Sequence, residues 1–313
     1  MNLQQLRAVR EAIRCNFNLT QAAERLFTSQ PGVSKQIREL EEELGVQIFV
    51  RHGKRFVGLT DPGRDIVPVI ERLLEQADNL KAVARELSDN KSGALRIATT
   101  HTQARYALPR VIAEFKRRFP KVHLALQQGS PRQLAEMVLA GEADIAIATE
   151  ALDRYPGLIA LPGQVWSHSV IVPKEHALAS AKALSLEAVA PFPIVTYDLA
   201  FSGRAHIDAA FASRGLTPNV VLSALDADVI KTYVEVGLGV GIVASMAYEP
   251  ERDRQLVALD ASHLFESTMT RIALKRDAYV RSYTFTFIEQ FAPSLTRRVV
   301  ERALAGEGSG YEL

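Results

Sequence analysis

The 313-residue sequence has one cysteine, Cys15, one tryptophan, and no apolar run long enough to cross a membrane. A single cysteine excludes an intramolecular disulfide and is typical of proteins in a reducing cytosol. The first residues lack the apolar stretch of a secretory signal peptide. The least polar run, residues 236–247, is short and interrupted by glycines. These absences predict a cytoplasmic protein that does not enter the membrane.

The sequence also has little net charge, only +1 at pH 7. The charge is unevenly distributed, because residues 1–58 contain nine basic and six acidic residues, a net charge of +3, which leaves −2 for the remaining chain. A basic amino-terminal segment in front of a slightly acidic body predicts nucleic-acid binding at that segment alone. The length predicts two domains.

Apolar spacing predicts three short helices in the basic segment. The second covers residues 19–27, and the third starts in the cap-like cluster 28–32 and stops at Gly45. Two helices joined by so short a turn predict a helix-turn-helix, whose second helix enters the major groove of DNA. Strand-like runs on either side of the basic turn 51–55 predict a β-hairpin wing that contacts phosphates. The alternative is an ordinary solvated helix face.

The predicted DNA contacts lie on the third helix and on the wing, and they are side chains that can bond to bases or phosphates. They are Ser29, Gln30, Pro31, Ser34, Lys35, Arg38, Arg51, Lys54 and Arg55.

A nearly heptad stripe of apolar residues predicts one long helix over residues 60–88. Such a stripe favours pairing with the same helix of a second copy. The alternative is a single helix packed on its own domain. Proline inside a helix removes a hydrogen bond and clashes with the preceding turn, so Pro68 predicts a kink or a delayed helix start there.

After a polar linker, strands and helices alternate in two βαβαβ units. This order predicts two α/β lobes with parallel sheets, joined by two crossovers like a periplasmic binding protein, with a ligand cleft that closes by hinge motion. The predicted fold class is therefore α/β, with an amino-terminal winged helix-turn-helix, a long linker helix and a two-lobed effector domain. The predicted boundaries are 1–59, 60–88 and 93–313, with lobe I at 93–163 plus 269–313 and lobe II at 164–268.

Hydroxyl-bearing residues stand where predicted strands end and helices begin. Residues 99–103 separate a strand from a helix, Thr149 ends another strand, and Ser202 precedes a helix of the second lobe. Hydroxyl and backbone N–H groups at helix starts suit a small anion or zwitterion. The alternative for the first of these junctions is that Thr100 or Thr102 only caps the helix.

Several spaced motifs together resemble the LysR-type transcriptional regulators. They are Ala-Ala-x-x-Leu at 22–26, Ser-Gln-Pro-Gly-Val-Ser at 29–34, Ile-x-x-Leu-Glu-x-x-Leu-Gly at 37–45 and Phe-x-Arg at 49–51. The runs 97–109, 128–131, 146–152 and 226–234 are similar to the branch of that family that regulates sulfur assimilation and cysteine biosynthesis. The similarity extends from Asn2 to about Val300.

This resemblance implies a homotetramer built as a dimer of dimers, which binds promoter DNA and contacts RNA polymerase. It implies a small effector, either acetylserine or sulfate or thiosulfate, bound in the cleft. Ser202 stands where the branch usually has threonine, so a methyl group is lost. The implied effector contacts, by position, are Thr100, Thr102, Gln103, Thr149 and Ser202, with Gly129, Ser130 and Trp166 nearby. A regulator of another pathway, such as the use of sulfonates, remains the alternative.

Two other classes of protein are disfavoured. The seven histidines lack metal-ligand spacing, and there is no nucleophile elbow or phosphate-binding loop. We therefore expect no enzyme activity, no metal and no cofactor. A periplasmic solute-binding protein is disfavoured by the missing signal peptide and the basic helix-turn-helix.

Overall fold

Polar side chains start the three amino-terminal helices, α1 (Leu3–Arg14), α2 (Leu19–Arg25) and α3 (Gln30–Leu44). Asn2, Asn18 and Ser29 accept hydrogen bonds from backbone amides of the first turns, which have no partner inside a helix. α3 ends at Gly45, whose φ of +70° suits glycine. The computed structural model describes residues 1–53, 55–88, 92–181 and 183–307.

The wing is an antiparallel hairpin of β1 (Phe49–His52) and β2 (Arg55–Leu59). Arg51 and Arg55 therefore lie within the strands, whereas the sequence placed both in the turn. The pairing extends further than expected because Phe49 and Phe56 stack, with ring centroids 4.6 Å apart. Lys54 lies outside the described residues.

α4 (Asp61–Ser88) is one helix that contains Pro68. The predicted delayed start is wrong, because Thr60 already caps the first turn: its hydroxyl oxygen accepts a hydrogen bond from the Gly63 amide at 2.9 Å. The kink stays a prediction. The first half of α4 buries Ile70 and Leu74 in the core of the amino-terminal unit, whereas Leu80 is 72% exposed. Pairing of the second half with another copy stays a prediction too.

The chain divides into two units, Met1–Ser88 and Asp89–Leu313. The second unit contains two five-stranded sheets, which define lobe I and lobe II. Lobe I is ordered β4-β3-β5-β12-β6 and lobe II β11-β7-β10-β8-β9. The strands are β3 (Gly93–Thr99), β4 (Val122–Gln128), β5 (Ile145–Thr149), β6 (Leu158–Trp166), β7 (His168–Pro173), β8 (Ile194–Tyr197), β9 (Val220–Ala224), β10 (Val240–Ala244), β11 (Leu256–Asp260) and β12 (Thr268–Lys275). The helices are α5 (Leu108–Arg118), α6 (Pro131–Ala140), α7 (Leu186–Val189), α8 (Ser202–Ser213), α9 (Ala227–Glu235), α10 (Ser282–Phe291) and α11 (Arg297–Leu304).

Each sheet is parallel only in part. In lobe I, β3 pairs in parallel with β4 and β5, but β12 runs antiparallel to β5 and β6. In lobe II, β8, β9 and β10 are parallel, but β7 runs antiparallel to β10 and β11. The antiparallel strands are those next to the crossovers, where the chain leaves one lobe and enters the other.

Two crossovers connect the lobes. Ser167 alone separates β6 from β7, and residues 261–267 separate β11 from β12. The sequence predicts a single strand over 165–172, but the structure breaks it at Ser167 because β6 pairs in lobe I and β7 in lobe II. No helix within the described residues is long and apolar enough to span a bilayer.

Candidate functional site

The surface predicted to bind DNA is the outer face of α3. Gln30, Lys35 and Arg38 are exposed there and Ser34 is half-buried, while Val33 and Ile37 on the opposite face are fully buried. Ser29 also has a structural role, because its hydroxyl oxygen accepts a hydrogen bond from the Gly32 amide at 3.2 Å.

The wing is fixed to α3 through a buried carboxylate. Glu41 accepts hydrogen bonds from the Ile48 and Phe49 amides at 2.8 and 3.1 Å, and it forms an ion pair with Arg51. The Arg51 guanidinium also lies 5.1 Å from the centroid of the Phe56 ring. Arg51 therefore holds the hairpin on α3, while the neighbouring Arg55 is exposed.

Three of the predicted effector segments meet at one edge of lobe I. β3, β4 and β5 are parallel, so their carboxyl ends bring Thr100, Gly129 with Ser130, and Thr149 to the same edge. β5 and β6 both run antiparallel to β12, so Trp166 at the end of β6 reaches this edge as well. Ligands of open α/β sheets bind at such edges.

The loop after β3 continues into a π turn, Gln103–Ala107, before α5. Such turns are rare in proteins, and those that occur are often found at functional sites. Gln103 is buried, and its side-chain amide donates a hydrogen bond to Thr270 Oγ1 at 3.1 Å. Within the described residues the side-chain oxygen of Gln103, Oε1, has no hydrogen-bond partner. Thr100 is buried next to it.

Thr102 and Ser130 have contacts of their own. Thr102 acts on Tyr197 of lobe II: burial raises the pKa of Tyr197 to about 12, and the nearby Thr102 hydroxyl opposes this rise. Ser130 forms a capping box with Gln133 at the start of α6. Ser130 therefore caps a helix, and its effector role rests on the resemblance alone. Thr102 makes no capping hydrogen bond with its side chain.

Lobe II approaches this edge with the start of α8. A Cβ atom built on Gly203 would lie 3.6 Å from Cη2 of Trp166 and 3.3 Å from Nε2 of His168. The first turn of α8 thus lies against the end of β6 and the start of β7. Ser202 is the first residue of this helix, and its side chain is outside the part of the chain that the structure describes.

A group of polar side chains, of which Lys231 and Asp253 are buried and two are half-buried, joins the two lobes. We call Tyr106, Asp228, Lys231 and Asp253 the inter-lobe network. The Tyr106 hydroxyl of lobe I donates to Asp228 Oδ1 at 2.6 Å and accepts from Lys231 Nζ at 2.9 Å. Lys231 Nζ also donates to both carboxylate oxygens of Asp253 at 3.0 Å.

Charges surround this network. Burial raises the pKa of Tyr106, and the hydrogen bond to Asp228 raises it further. Burial opposes ionisation of Asp228, but the bond from Tyr106 and the charges of Lys231 and Arg105 hold its pKa below the usual value. Arg105 lies 3.6 Å from Asp228 and 3.9 Å from Glu249. The charged network therefore favours the arrangement in which the lobes are in contact.

His101, Asp226 and Asp228 form a described group whose ligand atoms lie within 4.8 Å of one another. A cation there would compete with Lys231 and Arg105, which are already 3.4 and 3.6 Å from Asp228 oxygens. We assign the group to these ion pairs, and the expectation of no metal stays a prediction.

Neither the inter-lobe network nor His168 is among the residues predicted from the sequence. A signal for Lys231 was present, because Ala227, Ile230 and Val234 place it on the buried face of α9. A lysine at a core-facing position indicates a buried partner. The role of His168 could not be predicted from the sequence, since a lone histidine in a predicted strand forms no motif with its neighbours.

Comparison with known proteins assigns both units. Residues 3–64 match the bacterial regulatory helix-turn-helix protein domain of the lysR family, and residues 88–296 match the LysR substrate binding domain. The chain is 59% identical to the regulator SsuR of Burkholderia cenocepacia over 295 residues, which cover 94% of this chain and 96% of that one.

The chain is also 57% identical to the regulator CysB of the same organism over 313 residues, all of both chains. Among solved structures, it is similar to the cofactor-binding domain of the Cbl transcriptional regulator, with a TM-score of 0.66 and 45% identity over 69% of this chain and 94% of that one. These matches confirm the predicted fold class. The chain belongs to the LysR family, whose members are transcriptional regulators and not enzymes.

Proposed function

We propose that the chain regulates genes of sulfur assimilation and cysteine biosynthesis by binding their promoters, under the control of a small effector. One observation carries the effector side of this proposal. The first turn of α8 in lobe II lies against Trp166, which stands at the edge of lobe I where β3 and β5 also end. Acetylserine, sulfate or thiosulfate suits the hydroxyl and N–H donors of such a helix start. The relatedness to CysB along the full length supports the choice of pathway.

In this proposal residues 1–59 bind DNA, 60–88 pair with a second copy, and 93–313 bind the effector. The effector contacts parts of both lobes, so it changes the population of arrangements that the inter-lobe network stabilises. The tetramer then changes how it binds promoter DNA and how it contacts RNA polymerase. Light scattering of the full-length protein tests the tetramer.

The DNA side is tested with Arg38→Ala in the full-length protein. We expect about tenfold weaker binding to a sulfur-assimilation promoter, since one base or phosphate contact is lost. Fluorescence anisotropy at physiological salt measures the affinity. The control is Arg132→Ala, an exposed arginine of the other unit. Equal affinities for the two variants would remove Arg38 from the interface.

The effector side is tested by thermal unfolding with acetylserines, sulfate and thiosulfate. A ligand that binds only the folded state raises the melting temperature, by an amount that grows with its concentration. If neither the acetylserines nor sulfate nor thiosulfate raises the melting temperature at millimolar concentration, the proposed effector class is wrong.

A regulator of sulfonate use is the second candidate, and the 59% identity to SsuR favours it. Transcript profiles of a deletion strain grown on sulfate or on a sulfonate separate the two. Loss of cysteine-biosynthesis transcripts on sulfate supports the first function. Loss confined to sulfonate-induced transcripts supports the second.

A further inference from the structure

Three polar side chains mark the places where the chain passes between the lobes. We call Trp166, His168 and Thr268 the hinge cluster. Trp166 ends β6 and His168 begins β7, with one residue between them. Thr268 begins β12 and lies opposite Trp166 in the antiparallel pairing. The cluster therefore belongs to both crossovers.

The polar atoms of the hinge cluster are buried but unpaired. Trp166 Nε1, both ring nitrogens of His168 and Thr268 Oγ1 have no hydrogen-bond partner among the residues that the structure describes. His168 is 0% exposed and Thr268 1% exposed. Buried polar groups in folded proteins nearly always have partners, so four unpaired atoms in one place indicate a ligand that supplies them.

His168 is directed at the start of α8. Its Nε2 atom is 3.3 Å from the Cβ position of Gly203, the second residue of this 12-residue helix. The first amides of a helix have no intrahelical partner, and within the described residues no side chain caps those of α8. The imidazole edge therefore lies against the first turn of α8, the turn whose first amides no described side chain caps.

The imidazole is uncharged at neutral pH. Burial, and to a lesser extent repulsion by His206, lowers the pKa of His168 to about 4. A neutral ring offers one N–H donor and one acceptor. Arg204, which follows Gly203 on α8, is paired with Asp208 at 2.9 Å. The hinge cluster thus offers N–H and O–H donors rather than a fixed positive charge.

We propose that His168 is a further effector-binding residue, whose Nε2–H donates a hydrogen bond to an oxyanion oxygen of the ligand held at the start of α8. The assignment rests on the proposed function, because it adds a contact to the same cleft. Trp166 and Thr268 supply the neighbouring uncharged donors. The shared ligand chemistry is an oxyanion with several acceptor oxygens, either an inorganic sulfur oxyanion or the carboxylate of an acetylserine.

Calorimetric titration of the full-length protein tests the assignment with sulfate, thiosulfate, O-acetylserine and N-acetylserine as separate probes. His168→Phe removes both nitrogens, His168→Gln keeps an N–H near the place of Nε2, and His168→Asn keeps one near Nδ1. We expect His168→Phe and His168→Asn to weaken binding about tenfold or more, and His168→Gln to bind within about threefold of the unchanged protein. The probe with the larger loss identifies the inorganic or the carboxylate source.

The matched control is His176→Asn, a histidine of lobe II whose Nδ1 accepts a bond from the Leu178 amide. Asparagine keeps this acceptor, so every affinity should stay unchanged. If His168→Phe does not fold, the Gln and Asn variants decide, and equal affinities for those two would overturn the assignment.

The two proposals fail in different ways. If the protein without substitutions binds a probe and His168→Phe binds it equally well, the role of His168 is overturned, but the proposed function is not. Unchanged protein that binds none of the four probes overturns the effector class itself, and the role of His168 with it.

Discussion

Two groups of buried and half-buried polar side chains connect the lobes of the effector domain, and they differ in pairing. In the inter-lobe network, Lys231 Nζ bonds to Tyr106, to both oxygens of Asp253 and to the Ala247 carbonyl. In the hinge cluster, the described residues supply no partner for the ring nitrogens of His168.

The difference separates structural from ligand-binding polar groups. A buried charge requires partners, because desolvation otherwise exceeds any gain, and Lys231 has its full set. An unpaired neutral group costs less and is tolerated where a ligand completes it. The network therefore stabilises the arrangement of the lobes, and the cluster provides binding capacity at the expense of stability.

Breaking the inter-lobe network should have the largest effect on stability. Lys231→Met leaves Asp253 charged and buried without its cation, so we expect the free energy of unfolding to fall by about 3–5 kcal/mol. Urea unfolding of the full-length protein measures it. Arg132→Met is the control, since Arg132 forms an exposed pair with Glu136 and its loss should leave the unfolding curve unchanged. A similar small effect for Lys231→Met would mean that the network does not stabilise the fold.

The sequence predicts local elements and strand order, but it predicts neither of these two groups. Spacing and caps predicted α1 to α3 and the edge at which Thr100 and Thr149 meet, because these depend on local patterns and on parallel strand order. The pairing of Tyr106 with Lys231 depends on contact between elements far apart in sequence. The break at Ser167 could not be predicted either, because the strand-like run 165–172 continues across it while the chain changes lobes.

Acidification should destabilise the protein through the unpaired ring of His168. The pKa of His168 is lowered from 6.5 to about 4 in the folded protein. Between these values the unfolded chain binds a proton at this ring and the folded chain does not. The stability is therefore complete above pH 6.5 and is lost as the pH falls toward 4, by about 2 kcal/mol at pH 5.

His168→Phe and His168→Gln cannot bind this proton. The difference in unfolding free energy between pH 7 and pH 5 should thus be about 2 kcal/mol smaller in both variants than in the unchanged protein. Urea unfolding at the two pH values measures it. An identical pH dependence in all three proteins would show that folding does not lower the pKa of His168.

Removing one hydroxyl from the paired group should have a smaller effect. Tyr106→Phe deprives Asp228 of a donor and Lys231 of an acceptor, and we expect a loss of about 1–2 kcal/mol in unfolding free energy. Sulfate affinity should fall as well, because the arrangement with the lobes in contact becomes less populated. Tyr233→Phe, an exposed tyrosine on α9, should change neither quantity. Lost stability with unchanged affinity would separate the network from effector binding.

The smallest expected effect has the opposite sign. Without ligand at pH 7, His168→Phe removes two buried polar atoms, which the described residues leave unpaired, and replaces them with a ring of similar size. We expect the free energy of unfolding to rise by about 1 kcal/mol, and saturating sulfate should reverse the order, because it stabilises only the protein that still binds it. A loss of stability without ligand would show that the ring nitrogens already have partners, and the contrast between the two groups would disappear.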